Sequence, residues 1–176
     1  PHHGSILSRA GARAVGGGSA INAATAVTNL GGIFSVGSAE TIGSLVGSSG
    51  GVVLNAPLKI AVGGIYSGGI SGTNNLEMAG SGTQEIDAAT TYTGKTIITA
   101  GTLSINDSST FGNGTGTLLL NGGTLFRQSQ STAQPFANPV SLTASSIISG
   151  NPAGATRVLA FSTTRLTPSS DTRTLT

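Results

Sequence analysis

The sequence predicts an all-β fold built as a parallel β-solenoid, with roughly six coils of about 22 residues. Strand signals along the chain are short and frequent, turn signals separate them, and the same short motifs recur at a fixed spacing. A single coil of this kind cannot bury its inward side chains. Stacked coils can, because each strand pairs with its equivalent in the next coil.

The composition excludes several other classes of protein. Of 176 residues, 28 are glycine, 8% are charged and none is cysteine. Ordinary domains carry about 25% charged residues, so a charged helical surface and a disulfide scaffold are both excluded. Glycine costs about 1 kcal/mol relative to alanine inside a helix. The best helical stretch, Ala20 to Leu30, is therefore interpreted only as a short cap.

The most regular part of the chain contains four predicted strands. They are Thr96 to Thr99, Thr102 to Ile105, Thr117 to Leu120 and Thr124 to Phe126, with Gly, Asn and Asp turns between them. The motif Gly101-Thr102-Leu103 recurs as Gly123-Thr124-Leu125, 22 residues later. We expect the inward ladder of the solenoid to contain Ile98, Leu103, Ile105, Leu118, Leu120 and Leu125.

One long motif resembles a repeat of known proteins. It runs Tyr92-Thr93-Gly94-Lys95-Thr96-Ile97-Ile98-Thr99-Ala100-Gly101-Thr102-Leu103, and Asn121 to Leu125 supplies an Asn-Gly-Gly-Thr-Leu element after it. Both are similar to the autotransporter-associated β-strand repeat of bacterial autotransporter passenger domains. The resemblance covers about residues 30 to 126. It implies a right-handed parallel β-helix that is extracellular, on the cell surface of a Gram-negative bacterium.

One domain is expected at this length, with distinct segments at its ends. Residues 1–5 are interpreted as a tag remnant, 6–30 as an amino-terminal cap or flank, 31–150 as the parallel β-helix, and 151–176 as a carboxyl-terminal cap or disordered tail. No apolar run reaches the length of about 18 residues that a membrane span needs, so membrane insertion of this fragment is not expected. Nucleic acid is not an expected partner, because the basic residues are isolated and lack stacking aromatics.

Two short motifs resemble parts of enzyme sites. Residues 47–51 fit the Gly-x-Ser-x-Gly nucleophile elbow around Ser49, but that motif needs a strand-to-helix turn and a histidine. The histidines are His2 and His3, in the tag-like segment. Gly94-Lys95-Thr96 resembles the end of a P-loop, yet no helical pattern follows it. Ser49 is therefore interpreted as a chance match and Lys95 as a solvated position.

Four acidic residues are the remaining candidates for chemistry. Glu85 and Asp87 lie on the same face of a predicted strand, with Glu77 half a coil earlier and Asp107 about one coil later. Paired carboxyl groups can hydrolyse glycosidic bonds, and carboxylates can also bind Ca²⁺. The chain has no Trp to form a sugar platform, no Cys and no calcium-binding array. No catalytic, cofactor-binding or metal-binding residue is therefore predicted.

Hydroxyl and amide groups dominate the predicted surface. Asn106-Asp107-Ser108 and Asn113-Gly114-Thr115 are formal glycosylation sequons, and both are interpreted as turns. Pairs such as Thr91-x-Thr93 and Thr115-x-Thr117 raise the alternative of an ice-binding array. They do not recur once per coil, so that alternative is not favoured.

The sequence as a whole predicts a structural and adhesive, non-enzymatic function without cofactors. The chain would form part of a β-helical stalk whose hydroxyl-rich faces contact glycans or host surface proteins. Two alternatives stay open. One is a carbohydrate-active β-helix enzyme with Glu85 and Asp87 as its acids. The other is self-association through unpaired strand edges at the solenoid ends.

Overall fold

The computed structural model describes residues 5–9, 11–15, 21–106, 111–128 and 137–150. Within these ranges the regular structure consists of β-strands, and no helix is long and apolar enough to cross a membrane. The strands are β1 (Ser5–Ser8), β2 (Ala12–Val15), β3 (Ala26–Val36), β4 (Glu40–Ile42), β5 (Ser44–Leu54), β6 (Leu58–Ile60), β7 (Ile65–Tyr66), β8 (Gly69–Gly72), β9 (Leu76–Met78), β10 (Thr83–Ile86), β11 (Thr96–Ile98), β12 (Thr102–Ile105), β13 (Leu118–Asn121), β14 (Thr124–Arg127), β15 (Val140–Ala144) and β16 (Ile147–Gly150). The four strands predicted from the sequence are confirmed to within one residue at each end.

Six strands stack into the first face of the molecule. Their order is β15-β13-β11-β9-β6-β4, and every neighbouring pair is parallel. Leu58, Leu76, Thr96 and Leu118 are in register and buried, so their side chains form a ladder through the stack. Neighbouring strands of the face are one whole coil apart in the sequence. This arrangement is a parallel β-solenoid.

A second sheet of ten strands covers the other two faces. Its main path is β1-β3-β5-β7-β10-β12-β14-β16, while β2 pairs with β3 and β8 pairs with β5. The long strand β5 bends between these faces, because its first half pairs with β7 and its second half with β8. At the bend Gly47 and Gly50 have φ angles of 138° and 85°, a conformation that other residues rarely adopt.

The length of a coil changes along the stack. On the first face Glu40 pairs with Leu58, Leu58 with Leu76, Leu76 with Thr96, and Thr96 with Leu118. The spacing is thus 18 residues for the first two steps, then 20, then 22. The predicted fold class and coil number are confirmed, whereas a spacing of 22 holds only for the later coils. Because the strands of this face stay three to five residues long, the added residues lie elsewhere in each coil.

One hydrophobic core runs through the inside of the stack. Along most strands buried side chains alternate with exposed or half-buried ones, as the period of two in a β-strand requires. The predicted ladder is confirmed, since each member is at most 1% exposed: Ile98, Leu103, Ile105, Leu118, Leu120 and Leu125.

Buried amide side chains interrupt this apolar interior and bind the backbone of other coils. Gln84 accepts a hydrogen bond from the Leu45 amide at 3.3 Å and donates one to the Leu45 carbonyl at 3.0 Å. Asn138 accepts from the Phe111 amide at 3.0 Å and donates to the Phe111 carbonyl at 2.7 Å. These groups satisfy backbone atoms at places where the strand ladder is irregular. The sequence analysis did not identify either side chain.

The helical cap suggested for Ala20 to Leu30 is wrong for the part that the structure describes. Residues 26–36 form β3, in which Val27 is buried and Thr28 half-buried, so a period of two overrides the weak helical propensity. Parallel pairing also extends to β1 and β2. Apart from Ser5 of β1, which belongs to the segment 1–5, these strands lie in the segment 6–30 that was assigned to a cap or flank. Residues 1–4 and 151–176 lie outside the described residues.

Candidate functional site

A polar strip crosses three consecutive coils where the chain enters the first face. Leu58, Leu76 and Thr96 point inward in register, so alternating positions on either side of them point outward. The polar strip consists of nine such residues, all of them exposed or half-buried: Asn55, Pro57, Lys59, Thr73, Asn75, Glu77, Thr93, Lys95 and Ile97. Parallel pairing places equivalent positions of successive coils about 4.8 Å apart.

Hydrogen bonds between coils hold the strip in place. The Asn75 Oδ1 atom accepts a hydrogen bond from the Lys95 amide at 2.8 Å. The Thr99 hydroxyl donates to Glu77 Oε1 at 2.9 Å. Asn74, beside the strip, donates from Nδ2 to the Asn55 carbonyl at 2.7 Å. Hydrogen bonds to the adjacent coil therefore fix the positions of these backbone and side-chain groups.

The strip contains a groove of about 300 Å³ at the amino-terminal end of the first face. Its apolar lining comes mainly from Ala39, Pro57 and Ile97, and its polar lining includes Thr41 and Asn75. The volume is at the lower end of the range of about 300 to 1,000 Å³ that is usual for ligand sites. The groove is therefore large enough for a small ligand.

An ion pair lies inside this groove. Lys59 Nζ is 3.2 Å from Glu77 Oε1, and the two side chains are 45% and 21% exposed. Such exposed pairs typically contribute only about 0 to 1 kcal/mol to stability. The pair is thus accessible to solvent and is not needed to hold the coils together.

A third ionisable side chain, Glu40, lines the bottom of the groove. It is 3% exposed. Its Oε2 atom accepts a hydrogen bond from the Ile21 amide at 3.1 Å, and its Oε1 atom accepts one from the Ser38 hydroxyl at 3.0 Å. Glu40 therefore joins the segment before β3 to the first strand of this face.

Both tyrosines belong to the core and not to the strip. The Tyr66 hydroxyl accepts a hydrogen bond from Asn29 at 3.3 Å, and the Tyr92 hydroxyl lies 2.5 Å from the Thr96 hydroxyl. Burial raises the pKa of Tyr66 to about 12, although the hydrogen bond from Asn29 opposes the shift. Burial also raises the pKa of Tyr92 well above its ordinary value, against the opposing effect of Thr96. Neither ring is available as a stacking surface for a ligand.

The two enzyme-like motifs do not form the sites that they resemble. Ser49 is an exposed residue of β5 that pairs with Leu30, and no strand-to-helix turn surrounds it. Lys95 is exposed in the polar strip. Gly94 lies against the backbone of Asn74 in the preceding coil, where it provides close packing between coils.

The three acidic candidates that the structure describes do not form one cluster, because Glu77 lies apart from Glu85 and Asp87. Glu85 and Asp87 project from the same side of β10, as the alternation predicts. Asp87 accepts hydrogen bonds from Asn106 and, at 3.5 Å, from Ser67. Glu77 lies on a different face, in the polar strip, and Asp107 is outside the described residues. Among the described residues no group of three or more acidic or histidine side chains could hold a metal ion.

The sequon at Asn113 lies in a turn of the solenoid, whereas Asp107 and Ser108 of the other sequon lie outside the described residues. Asn113 is exposed in a turn, where its Oδ1 atom accepts hydrogen bonds from the Thr115 amide at 3.0 Å and the Thr115 hydroxyl at 2.6 Å. The Asn113 amide donates to the Tyr92 carbonyl, which places Asn113 beside Thr93. Thr115 is therefore out of register with Thr93, and the threonine pairs do not form a regular array.

The sequence analysis did not identify Lys59 as a partner of Glu77. The two residues are in direct register, one coil of 18 residues apart. A period of 22 places Lys59 beside a different residue. The signal that could have found the pair is an 18-residue repeat of the Leu-x-aliphatic pattern, Leu58-Lys59-Ile60 and Leu76-Glu77-Met78.

Comparison with known protein families gives a match in the middle of the chain. Residues 76–105, which include β9 to β12, match the family model described as passenger-associated-transport-repeat. No curated protein and no solved structure matches the chain. The matched segment contains Glu77, Thr93, Lys95 and Ile97 of the polar strip.

Proposed function

We propose that the chain is an adhesive segment of an autotransporter passenger domain, because residues 76–105 match a passenger-associated-transport-repeat and lie within a β-solenoid of about six coils. The repeat family implies a secreted, surface-exposed protein of a Gram-negative bacterium. In the proposal, the solenoid is a stalk and the polar strip is the surface through which it contacts glycans or host surface proteins.

One observation carries the proposal: the polar strip presents hydroxyl, amide and charged groups at exposed or half-buried positions of three consecutive, parallel coils. A repeating surface suits a repeating partner. Once one weak contact has formed, it holds the next pair of groups close together, so that several weak contacts give a higher overall affinity. The nine residues carry two lysines and one glutamate. Binding through such a nearly neutral surface should depend little on salt.

The experiment is a binding screen of the purified chain against an array of glycans and extracellular-matrix proteins at physiological salt. We expect reproducible binding to one ligand class. The triple variant Asn55→Ala, Thr73→Ala, Thr93→Ala removes one exposed polar side chain from each of three coils. It should weaken that binding.

A matched control is available on another face of the solenoid. Thr83, Thr102 and Thr124 are also in register over three coils, and all three are exposed or half-buried. Their triple alanine variant should bind as the unmodified chain does. Absence of binding across the array, or equal losses in both triple variants, would contradict adhesion through the polar strip and leave a passive stalk.

A further inference from the structure

We infer that the groove around Lys59 and Glu77 binds one neutral pyranose unit through two neighbouring hydroxyl groups of the sugar. This inference rests on the proposed adhesive function and names the ligand class of the groove within the polar strip. It is carried by the volume of the groove, its unused hydrogen-bonding groups, its charge and its apolar lining.

Several polar atoms of the groove have hydrogen-bonding capacity that other described residues do not use. Lys59 Nζ contacts Glu77 Oε1, which also accepts from Thr99, so Glu77 Oε2 is left with no hydrogen bond from the described part of the chain. The Asn75 Oδ1 atom is occupied by the Lys95 amide, while its Nδ2 donors have no partner within the described ranges. The groove thus combines ammonium and amide donors with a carboxylate acceptor.

This combination matches a pair of adjacent sugar hydroxyls. One hydroxyl can donate to Glu77 Oε2 while it accepts from Lys59, and its neighbour can accept from Asn75 Nδ2. A hydroxyl group both donates and accepts, and hydrogen bonds to ionised groups are about twice as strong as neutral ones. A ligand with isolated hydroxyls would satisfy only part of the set.

The apolar lining and the volume favour a ring of this size. Ala39, Pro57 and the half-buried Ile97 offer an apolar surface to the C–H groups of a pyranose. A volume of about 300 Å³ admits one sugar unit and not a folded oligosaccharide, since larger ligands occupy sites toward the upper end of the usual range.

The charge of the groove favours a neutral ligand. Lys59 and Glu77 carry opposite charges and pair with each other, so a uronate or a sulfated sugar would have to draw Lys59 away from Glu77. A cationic ligand would compete with Lys59, which already lies 3.2 Å from Glu77. A neutral sugar can bind while the ion pair remains.

The test is NMR titration of the isotope-labelled full chain with methyl glucopyranoside, methyl galactopyranoside and methyl mannopyranoside. Deoxy analogues and sodium glucuronate serve as ligand controls. We expect shift changes at Lys59, Glu77 and Ile97 for at least one neutral sugar. Removal of one of the paired hydroxyls should weaken binding by about tenfold, and glucuronate should bind more weakly than the neutral sugar.

Two variants separate this inference from the wider proposal. Lys59→Met and Glu77→Gln keep the shape of the side chains, and both should fold because the exposed ion pair contributes little to stability. Each should weaken sugar binding by about tenfold. Glu85→Gln removes the same type of charge on another face, outside the groove lining, and should leave the affinity unchanged.

The outcomes are distinct. If no neutral sugar binds, if Lys59→Met and Glu77→Gln bind as the unmodified chain does, or if glucuronate binds best, the groove assignment is wrong. Adhesion itself can still stand in that case if the array shows binding that the Asn55, Thr73 and Thr93 substitutions remove. A silent array contradicts the adhesive function as a whole.

Discussion

Gln84 shows how one polar residue repairs an irregular place in the solenoid. Strand β7 has two residues and pairs with β5 through the single pair Gly47 and Tyr66. Gly64, in register with Gln84 according to the pairing of β10 and β7, has no side chain. The Gln84 amide extends across this gap and bonds to both backbone polar atoms of Leu45.

Replacement of Gln84 by leucine should therefore destabilise the fold. The variant keeps a large side chain but leaves the buried amide and carbonyl groups of Leu45 without these partners, which costs about 1 to 3 kcal/mol. Urea unfolding followed by circular dichroism measures the change. The neighbouring outward substitution Glu85→Gln should stay within about 0.5 kcal/mol. Equal stability of both variants would show that Gln84 is not needed at the gap.

Leu103 tests the inward ladder directly. It is fully buried, so Leu103→Ala should lower the free energy of unfolding by about 2 to 5 kcal/mol. Leu119 provides a matched control, because it is a half-buried, outward residue between two buried leucines of β13. Leu119→Ala should cost clearly less in the same unfolding experiment. A larger loss at Leu119 than at Leu103 would reverse the assigned orientation.

The buried tyrosines predict a loss of stability at high pH. Tyrosine has a pKa of about 10 in an unfolded chain, whereas burial raises the pKa of Tyr66 to about 12 and that of Tyr92 further. As the pH rises, the tyrosines of the unfolded chain therefore lose their protons at a lower pH than those of the folded chain. Their contribution to stability is complete below pH of about 10 and is lost as the pH rises through the folded values.

Unfolding experiments at increasing pH check this prediction. The unmodified chain should lose stability above pH of about 10, and Tyr92→Phe should lose less over the same interval because it removes one ionisable group. The quantity to compare is the slope of the unfolding free energy against pH. The absolute stabilities differ for a second reason, because the variant also lacks the contact with Thr96. Identical slopes would contradict an ionisation of Tyr92 that is linked to unfolding.

At the scale of the elements, close contact between coils depends on particular glycines. A Cβ atom at Gly94 would collide with the backbone of Asn74 in the preceding coil, and one at Gly116 would collide with the Gly94 carbonyl. By contrast, a Cβ at Gly69 meets no atom within 4 Å. Glycine is thus required at some turns of the solenoid and optional elsewhere.

Gly94→Ala and Gly69→Ala form a matched pair of variants. Gly94→Ala should destabilise by about 1 to 3 kcal/mol, the usual cost of overpacking. Gly69→Ala should be neutral or stabilising by up to about 1 kcal/mol, because alanine restricts the unfolded chain. Thermal unfolding of the two variants measures the difference. A tolerated Gly94→Ala would show that the coils can separate locally at little cost.

Strands were predictable where the signal was local. The motifs around Thr102 and Thr124 placed β12 and β14, and these two residues are in register. Coil length in the first half was not predictable, because strands of two or three residues such as β6 and β7 carry little periodic signal. The groove was missed for the same reason. Its central contact between Lys59 and Glu77 depends on an 18-residue register and not on any single strand.

For the whole molecule, stability should vary along the stack. A coil in the middle pairs with a neighbour on each side, and solenoid stability is mostly the sum of such neighbouring interfaces. Hydrogen exchange should therefore be slowest in β9 to β12, which have neighbours on both sides. It should be faster in β1 and β16, at the ends of the ten-stranded path. Uniform protection would indicate that the stack opens as one cooperative unit.

The stacking direction also determines how the molecule responds to mechanical load. The hydrogen bonds between coils run along the stack, so a pull on its two ends acts on one interface after another and not on all of them at once. An 18-residue coil that comes free adds about 60 Å of extended chain. A solenoid that opens in this way lengthens in steps under tension, and each step dissipates work.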